Sequence, residues 1–353
     1  MSKIRSIFSL VILFIFIIGC GENNIPTGGI IWVSFGPDIN GYSPLTGEML
    51  ENHKIHVGWN VHDPSVDSKN GFIWLTAEES ENSPNVLIKY RRDGKELGRF
   101  EGENTFSGVT WVGAYKNDGG CFIKYDDNGK NICAHLDENL CMVKRKGWAY
   151  DRCVINKKDG SLWFNNVHEK TIYKWDRNMN EVGRLEGIVL INDLDVDENN
   201  GNLWVWEMIK KDDDYFTGRL LKIKSDVSGY EDWGNPVGDV HEVFGYCASN
   251  DEDGGVFLVC SVEEKSNGYK QIWIYKYDAM GNIVAKNIIE NTRDVIEADV
   301  LGYDGGLIIL GYDDLLNLYL WKLDRDLNNI EFAKDLKCYE WNLYPEMEVD
   351  WYE

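Results

Sequence analysis

Seven residues at one repeated position are the best candidates for chemistry in this chain. Each lies eight residues before a glycine that recurs along the sequence, or at the matching place near the C-terminus; they are Asp63, Trp111, Arg152, Asp193, Tyr246, Glu297 and Glu346. Carboxylates held close together must pair, titrate or hold a cation such as Ca²⁺. A guanidinium can clamp an anionic group. If the fold gathers the seven residues, they predict a binding site for a small polar ligand or for Ca²⁺.

Two other interpretations of these residues stay open. Polar side chains also line water-filled channels without binding anything, so the seven could be solvated lining. A catalytic site could use one of the carboxylates or His62 as a general base, with Arg152 as an anion clamp. The sequence contains no motif that positions a nucleophile, so the catalytic interpretation is the weaker one.

Repeated elements surround the glycines and must position the seven residues. After each glycine comes a short aliphatic and aromatic run, at residues 71–74, 119–122, 160–163, 201–204, 254–257 and 305–308. A second element follows each run, a strand with a lysine before an aliphatic or aromatic residue: Lys89, Lys174, Lys222, Lys276 and Lys322, with His135 in the same place in one unit. Units of about 40–50 residues with about four short strands are typical of propeller blades.

The two ends of the repeat region complement each other. Residues 29–32 are a seventh copy of the glycine element but lack a preceding strand, and Glu346–Asp350 matches the first strand of another unit, Asp193–Asp197. Pairing the two ends would cover strand edges that are otherwise open. Residues 29–353 are therefore predicted to form an all-β β-propeller of seven four-stranded blades, with the C-terminal strand completing the N-terminal blade. Six blades are the alternative.

One unit carries a recognisable repeat signature. The segment 195–205, Asp-Val-Asp-Glu-Asn-Asn-Gly-Asn-Leu-Trp-Val, resembles NHL-type and streptogramin-lyase-type propeller repeats, and the resemblance extends over nearly all of residues 29–353. Propellers of these types serve as enzymes, sensors and scaffolds, so the resemblance implies a fold and not an activity. His241 and Glu242 do not reproduce the His and Glu constellation of streptogramin lyases.

The N-terminus predicts export and lipid attachment. Lys3 and Arg5 precede an apolar run from Ile7 to Ile18, which is the pattern of a secretory signal and is short for a membrane span. The run ends in Ile-Ile-Gly-Cys at 17–20, which resembles the lipobox of bacterial lipoproteins and implies cleavage before Cys20 and acylation there, by palmitate among other chains. Residues 1–19 are the predicted signal peptide and 20–28 the lipidated tether. Gly21 favours the outer membrane over the inner one if the cell is Gram-negative.

Charge and cysteine content narrow the partners. The formal net charge of -23 repels phosphate backbones, which argues against nucleic acid. The eight cysteines contain no CxxC pair, and no Cys/His cluster has the spacing of a zinc site. If Asp253 and Gly254 form a two-residue hairpin turn, Cys247 faces Cys260, and this register would permit a disulfide.

These observations predict an extracytoplasmic lipoprotein, anchored to the cell envelope through Cys20, that acts as a ligand-binding or protein-interaction module. Its partners would be the membrane and an envelope protein or a small polar ligand. No cofactor motif occurs, and Ca²⁺ is the one cofactor that the acidic residues suggest. The alternative is an extracytoplasmic lyase or hydrolase with its site at the acidic mouth of the propeller channel.

Overall fold

The computed structural model describes residues 29–58, 60–78, 80, 83–100, 106–115, 119–127, 130–147, 152–212, 215–238, 242–250, 252–263, 270–302, 304–337 and 345–350. The predicted signal peptide and tether, with Cys20, lie outside this part of the chain. None of the described residues belongs to a helix that is long and apolar enough to cross a membrane.

The described residues form 28 strands, which pair into seven four-stranded antiparallel sheets. The first blade contains β1 (Ile30–Phe35), β2 (Asp38–Tyr42) and β3 (Met49–His56). The second contains β4 (Asn60–Asp67), β5 (Phe72–Glu78), β6 (Val86–Arg91) and β7 (Glu96–Phe100), and the third contains β8 (Phe106–Ala114), β9 (Cys121–Asp127), β10 (Lys130–Leu136) and β11 (Met142–Gly147). The fourth contains β12 (Cys153–Ile155), β13 (Leu162–Asn166), β14 (Thr171–Trp175) and β15 (Glu181–Glu186).

The last three blades follow the same order along the chain. The fifth contains β16 (Ile191–Val196), β17 (Leu203–Asp212), β18 (Tyr215–Ile223) and β19 (Tyr230–Asp232). The sixth contains β20 (Glu242–Asn250), β21 (Gly255–Glu263), β22 (Lys270–Tyr277) and β23 (Ile283–Ile289), and the seventh contains β24 (Thr292–Val300), β25 (Leu307–Asp313), β26 (Leu318–Leu323) and β27 (Ile330–Asp335). The final strand, β28 (Glu346–Asp350), returns to the first blade.

The ring is closed by β28, which is the innermost strand of the first blade. It pairs antiparallel with β1, from Ile30 opposite Asp350 to Ser34 opposite Glu346, and Met347 is buried in the core. The innermost strands of successive blades contact one another around the ring, and β28 contacts both β24 and β4. The prediction of seven four-stranded blades closed by the C-terminal strand is confirmed.

The core is a set of layers between neighbouring blades. One such layer packs Trp204 and Trp206 of the fifth blade against Leu258 and Tyr275 of the sixth, all buried. Because the aromatic and aliphatic residues after each repeated glycine lie in the second strand, they enter these layers from both sides. The glycine before them adopts positive φ in all seven blades, for example +73° at Gly201, a conformation that favours glycine.

The predicted facing pair of Cys247 and Cys260 is wrong. Asn250 pairs with Gly255, so the turn between β20 and β21 has two residues more than the predicted two-residue turn at Asp253 and Gly254. The Asn250 carbonyl accepts the Gly254 N–H at 2.9 Å and closes this longer turn. As a result Cys247 faces Leu258, Cys260 faces Gly245, and the two buried cysteines form no disulfide.

Candidate functional site

The innermost strands surround a cavity of about 1360 Å³ in the centre of the ring. Six of the seven residues singled out in the sequence line this cavity, and we refer to them as the upper ring: Trp111, Arg152, Asp193, Tyr246, Glu297 and Glu346. The seventh, Asp63, lies on β4, but its side chain lies outside the described part of the structure. The fold therefore gathers, around one cavity, residues that are up to 235 positions apart in the chain, from 111 to 346.

A second ring of polar residues was missed in the sequence. Ser65, Asp195, Asp299 and Glu348 also line the cavity, each two residues beyond an upper-ring position, and we refer to them as the lower ring. Side chains two residues apart on a strand lie on the same side. This periodicity was the available signal, because Asp-x-Asp or Glu-x-Glu occurs at 193–195 and 346–348 and Glu-x-Asp at 297–299.

Several of these side chains also join one blade to the next. Asp193 Oδ2 accepts the N–H of Cys247 at 2.8 Å, and Ser65 Oγ accepts the N–H of Ala114 at 2.9 Å. The Glu297 carboxylate accepts the N–H of Met347 in the same way. The innermost strand of a blade has no further strand to pair with, so the N–H groups on its inner edge need other acceptors. Ring carboxylates therefore hold neighbouring blades together as well as facing the cavity.

Burial raises the pKa of four acids in these rings, namely Asp193, Asp195, Glu297 and Glu348. Burial raises the pKa of Asp193 to about 6, although the Cys247 N–H and the Arg152 charge act in the opposite direction. Burial, and then repulsion from Glu346, raises the pKa of Glu297. The pKa of Asp195 is raised by burial and by the nearby charges of Asp299 and Asp193. Asp193, whose pKa is about 6, can therefore exchange a proton a little below neutral pH.

An ion pair crosses the cavity at the lower ring. Lys157, in the turn between β12 and β13 of the fourth blade, bonds through its ammonium to Glu348 of the first blade. Their side chains are 21% and 15% exposed. Burial alone would lower the pKa of Lys157, but the charges of Glu348, Asp299 and Glu198 raise it. Burial raises the pKa of Glu348 to about 7 against the lowering effect of Lys157.

Arg152 is the cationic member of the upper ring. Its backbone N–H donates to Asn165 Oδ1 at 2.7 Å, which fixes the residue at the start of the fourth blade. The residue is exposed and lines the cavity, and no described residue accepts a hydrogen bond from its guanidinium or forms an ion pair with it. Its charge still lowers the pKa of the Asp193 carboxyl. The guanidinium therefore lines the cavity, and none of its donors is bonded to a described residue.

The two aromatic members flank the charged ones. The Trp111 ring lies over Gly113 and close to Ile155, and a Cβ at position 113 would lie only 2.5 Å from Trp111 Cη2. Gly113 occupies in the third blade the place that Asp195 occupies in the fifth, so the indole replaces a lower-ring side chain there. Burial raises the pKa of the Tyr246 phenol, and the Asp193 charge adds to this effect.

The residues that the structure describes contain no group of three or more His, Cys, Asp or Glu side chains placed to hold a metal ion. Binding of Ca²⁺ at the acidic rings stays a prediction.

Comparison with known proteins identifies the fold. No protein-family model matches the chain, and no curated protein sequence matches it. Among solved structures, a protein from Lactobacillus plantarum is similar with a TM-score of 0.61 and 11% identity, over 91% of this chain and 99% of that one. The β-propeller domain of Myceliophteria thermophila Cps50 (Swd1) is similar with a TM-score of 0.56 and 12% identity, over 85% of this chain and 99% of that one. At these identities the likeness concerns the fold alone.

Proposed function

We propose that this protein is an extracytoplasmic, lipid-anchored propeller that binds a small polar ligand in its central cavity. The observation that carries the proposal is the convergence of two aromatic side chains, three carboxylates and a guanidinium that no described residue pairs with, all on one cavity of about 1360 Å³. Ligand sites are concave, with aromatic walls and a few placed polar groups, and this volume is at or above the usual upper range. If the cavity residues were only in contact with water, there would be no reason for the Trp111 ring to lie over Gly113, where any larger residue would collide with it.

A melting experiment on the full chain in detergent tests the cavity. The protein is heated with panels of sugars, peptides and Ca²⁺, and a ligand that binds the folded state raises the melting temperature. The shift should be lost in Arg152→Gln and in Trp111→Ala. It should persist in Arg184→Gln, because Arg184 is exposed on the outer strand β15, where it pairs with Glu181 at 3.6 Å. A shift that survives both cavity substitutions would place the ligand elsewhere and contradict the proposal.

The anchoring part of the proposal rests on the lipobox-like residues 17–20. Cells that express the protein are labelled with a palmitate analogue, and the label should attach to the full chain and be absent in Cys20→Ser. Equal labelling of both proteins, or retention of the uncleaved residues 1–19 in the wild-type protein, would contradict lipid attachment at Cys20. The resemblance to NHL-type repeats supports the fold of this module but assigns it no ligand.

One observation favours the alternative, an extracytoplasmic lyase or hydrolase. The pKa of Asp193 is raised to about 6, which is suitable for a general base near neutral pH, and Arg152 is close enough to influence it. If Asp193 is a base, Asp193→Asn should abolish turnover of a ligand that the variant still binds. If the bound ligand is recovered intact from the wild-type protein, the module only binds.

A further inference from the structure

We infer that the ligand of the cavity is an uncharged saccharide of two or more units, which packs one sugar ring on Trp111 and another on Tyr246 and directs its hydroxyl groups at the polar residues between them. This inference rests on the proposed function and names the chemical class of its ligand. It follows from the order of the residues around the upper ring and from the way their charges are compensated.

The two aromatic residues of the upper ring lie on opposite walls of the cavity. Trp111 is on β8 of the third blade and Tyr246 is on β20 of the sixth. In a ring of seven blades no two blades are more than three steps apart, so these two are as far from each other as the ring allows. Both side chains are half-buried, Trp111 against the core layer that contains Ile155 and Tyr246 against the layer that contains Val259. The cavity therefore has two aromatic walls, each anchored in the core.

The polar residues of the upper ring lie in two arcs between these aromatic walls. One arc, in the fourth and fifth blades, contains Arg152 and Asp193. The other, in the seventh and first blades, contains Glu297 and Glu346. A sugar ring has the same division, because its two flat faces consist of C–H groups and its rim carries hydroxyl groups. Apolar faces pack on aromatic side chains and hydroxyls bond to placed polar groups, so the alternation of walls matches a saccharide.

The charges of the cavity wall are already compensated within the protein. The Arg152 guanidinium lies close enough to Asp193 for their charges to interact, and the Lys157 ammonium is bonded to Glu348. Burial raises the pKa of Glu297 well above its usual range, which favours its uncharged form. A charged ligand that bound one of these groups would have to compete with an existing partner or meet an uncharged one, and burial of a charge without a partner is costly. A neutral ligand avoids this cost.

Hydroxyl groups suit the groups in the first arc. A hydroxyl both donates and accepts hydrogen bonds, so one saccharide can bond to the Arg152 guanidinium, which only donates, and to the Asp193 carboxylate, which accepts. Asp193 Oδ2 is held by the Cys247 N–H at 2.8 Å, which fixes the orientation of the carboxylate. The cavity volume of about 1360 Å³ is larger than that of most ligand pockets and favours more than one sugar unit.

Calorimetric titration of the full chain with disaccharides tests the inference. The protein is kept in a detergent without sugar groups and is titrated with α- and β-linked disaccharides of glucose, galactose, mannose and N-acetylglucosamine. The best binder is then compared with its uronic-acid form, which adds a carboxylate, and with its amino-sugar form, which adds an ammonium. We expect at least one neutral disaccharide to bind, and each charged form to bind roughly tenfold more weakly or worse, because its charge is buried without a free partner.

Substitutions at the aromatic walls locate the binding site. Trp111→Leu and Tyr246→Leu should each weaken binding roughly tenfold, because each removes an aromatic face, whereas Tyr246→Phe keeps the ring and should stay within about threefold of the wild-type protein. Tyr230, exposed on the outer strand β19, provides the matched control, and Tyr230→Leu should bind as the wild-type protein does. Thermal melts show whether each variant is folded. If Trp111→Leu does not fold, Trp111→Phe takes its place and should still weaken binding, since its smaller ring covers less of the sugar.

Three outcomes overturn the inference: no disaccharide binds, a charged form binds as tightly as the neutral one, or binding is unchanged in the folded variants of Trp111 and Tyr246. Failure of the proposed function gives a different result. If no disaccharide binds, but a glycine peptide or Ca²⁺ raises the melting temperature and the rise is lost in Arg152→Gln, the cavity is still a binding site and only the saccharide is rejected. If none of these ligands binds, both proposals fail.

Discussion

The contacts between neighbouring blades and the lining of the central cavity come from the same repeat, but the first use one residue type again and again, whereas the second varies from blade to blade. Four blades have a lysine in the third strand that bonds to the next blade. Each lysine donates to a backbone carbonyl in the turn between the third and fourth strands of that blade. The pairs are Lys89 to Glu138 at 2.7 Å, Lys174 to Ser225 at 2.9 Å, Lys222 to Ala279 at 3.0 Å and Lys276 to Arg325 at 3.1 Å.

Each of these lysines also lies opposite a buried aromatic residue of the second strand. Lys174 faces Trp163 and Lys222 faces Trp204 in the strand register, with each ammonium 4.8 Å from the facing ring centre. The carbonyl and the ring together compensate the burial of the charge. Because these lysines recur with the same partners in blade after blade, we assign them the role of holding neighbouring blades together.

The upper ring shows the opposite behaviour, since the same position carries a tryptophan, an arginine, a tyrosine and three acids in six blades. Its acids lie in the fifth, seventh and first blades, and its cation in the fourth. Packing of equivalent blades does not require such variety. Within one repeat protein, positions that repeat report on architecture, and positions that vary inside a shared cavity are the candidates for function.

Removal of the closing strand should have the largest effect on both regions. Deletion of residues 345–353 removes β28, which carries buried Met347 and the acids Glu346 and Glu348, and exposes the inner edge of β1. We expect loss of the cooperative melting transition, because an open edge and an unfilled layer remain. The measurement is a thermal melt followed by circular dichroism. An unchanged transition would mean that the ring does not depend on closure by β28.

The ion pair across the cavity should give the next largest effect. Lys157→Met leaves the Glu348 carboxylate, 15% exposed, without its cation, and should reduce the free energy of unfolding by about 3 kcal/mol at pH 8. The loss should shrink at pH 5, because the pKa of Glu348 is already raised to about 7 and the group can take up a proton.

A double variant provides the control for this prediction. Lys157→Met with Glu348→Gln removes both charges and should recover most of the lost stability, as measured by urea unfolding at pH 8. If the double variant is no more stable than the single one, the pair contributes by packing and not by charge.

The sequence predicted the architecture well because the blades repeat. The recurring glycine, the aromatic run and the third-strand lysine made seven units visible, and residues 346–350 matched the missing strand of the first blade, which the structure confirms. The upper-ring residues were found because equivalent positions of equivalent strands must converge on one axis. The turn at 250–255 was mispredicted because Asp253–Gly254 is a strong local hairpin signal, while the longer turn is set by Asn250, which bonds across it.

Contacts between distant residues were beyond sequence reasoning. Lys157 lies in a turn that looks like the surface turns of other blades, and nothing near it predicts a partner 191 residues away. The acceptor role of Asp193 toward the sixth blade depends in the same way on the angle between two blades. Such contacts depend on the dimensions of the closed ring, which the repeat pattern does not encode.

Removal of the donor group of a repeated third-strand lysine should destabilise the fold. Lys174→Met keeps the aliphatic stem over Trp163 but removes the donor to the Ser225 carbonyl, and should reduce the free energy of unfolding by about 2 kcal/mol. Lys224→Met is the matched control, because Lys224 is exposed and only two residues beyond Lys222 in the next blade; it should change stability by less than about 0.5 kcal/mol. Equal effects of the two substitutions in urea unfolding would refute the bridging role.

Substitution of Asp193 in the upper ring should change the free energy of unfolding least, and should increase it where the other substitutions reduce it. The pKa of Asp193 is about 6 in the folded protein against a usual value of 3.8, so the folded state holds the proton more tightly than the unfolded chain. Its contribution to stability is therefore fully present below about pH 4 and is lost as the pH rises through 6. Asp193→Asn keeps an oxygen for the Cys247 N–H and removes this loss, so the variant should match the wild-type protein at pH 4 and exceed its stability at pH 7 by less than the limit of about 3 kcal/mol that the rise of the Asp193 pKa from 3.8 to about 6 sets. Urea unfolding at the two pH values measures the difference, and a variant that is less stable than the wild-type protein at pH 7 would contradict the raised pKa of Asp193.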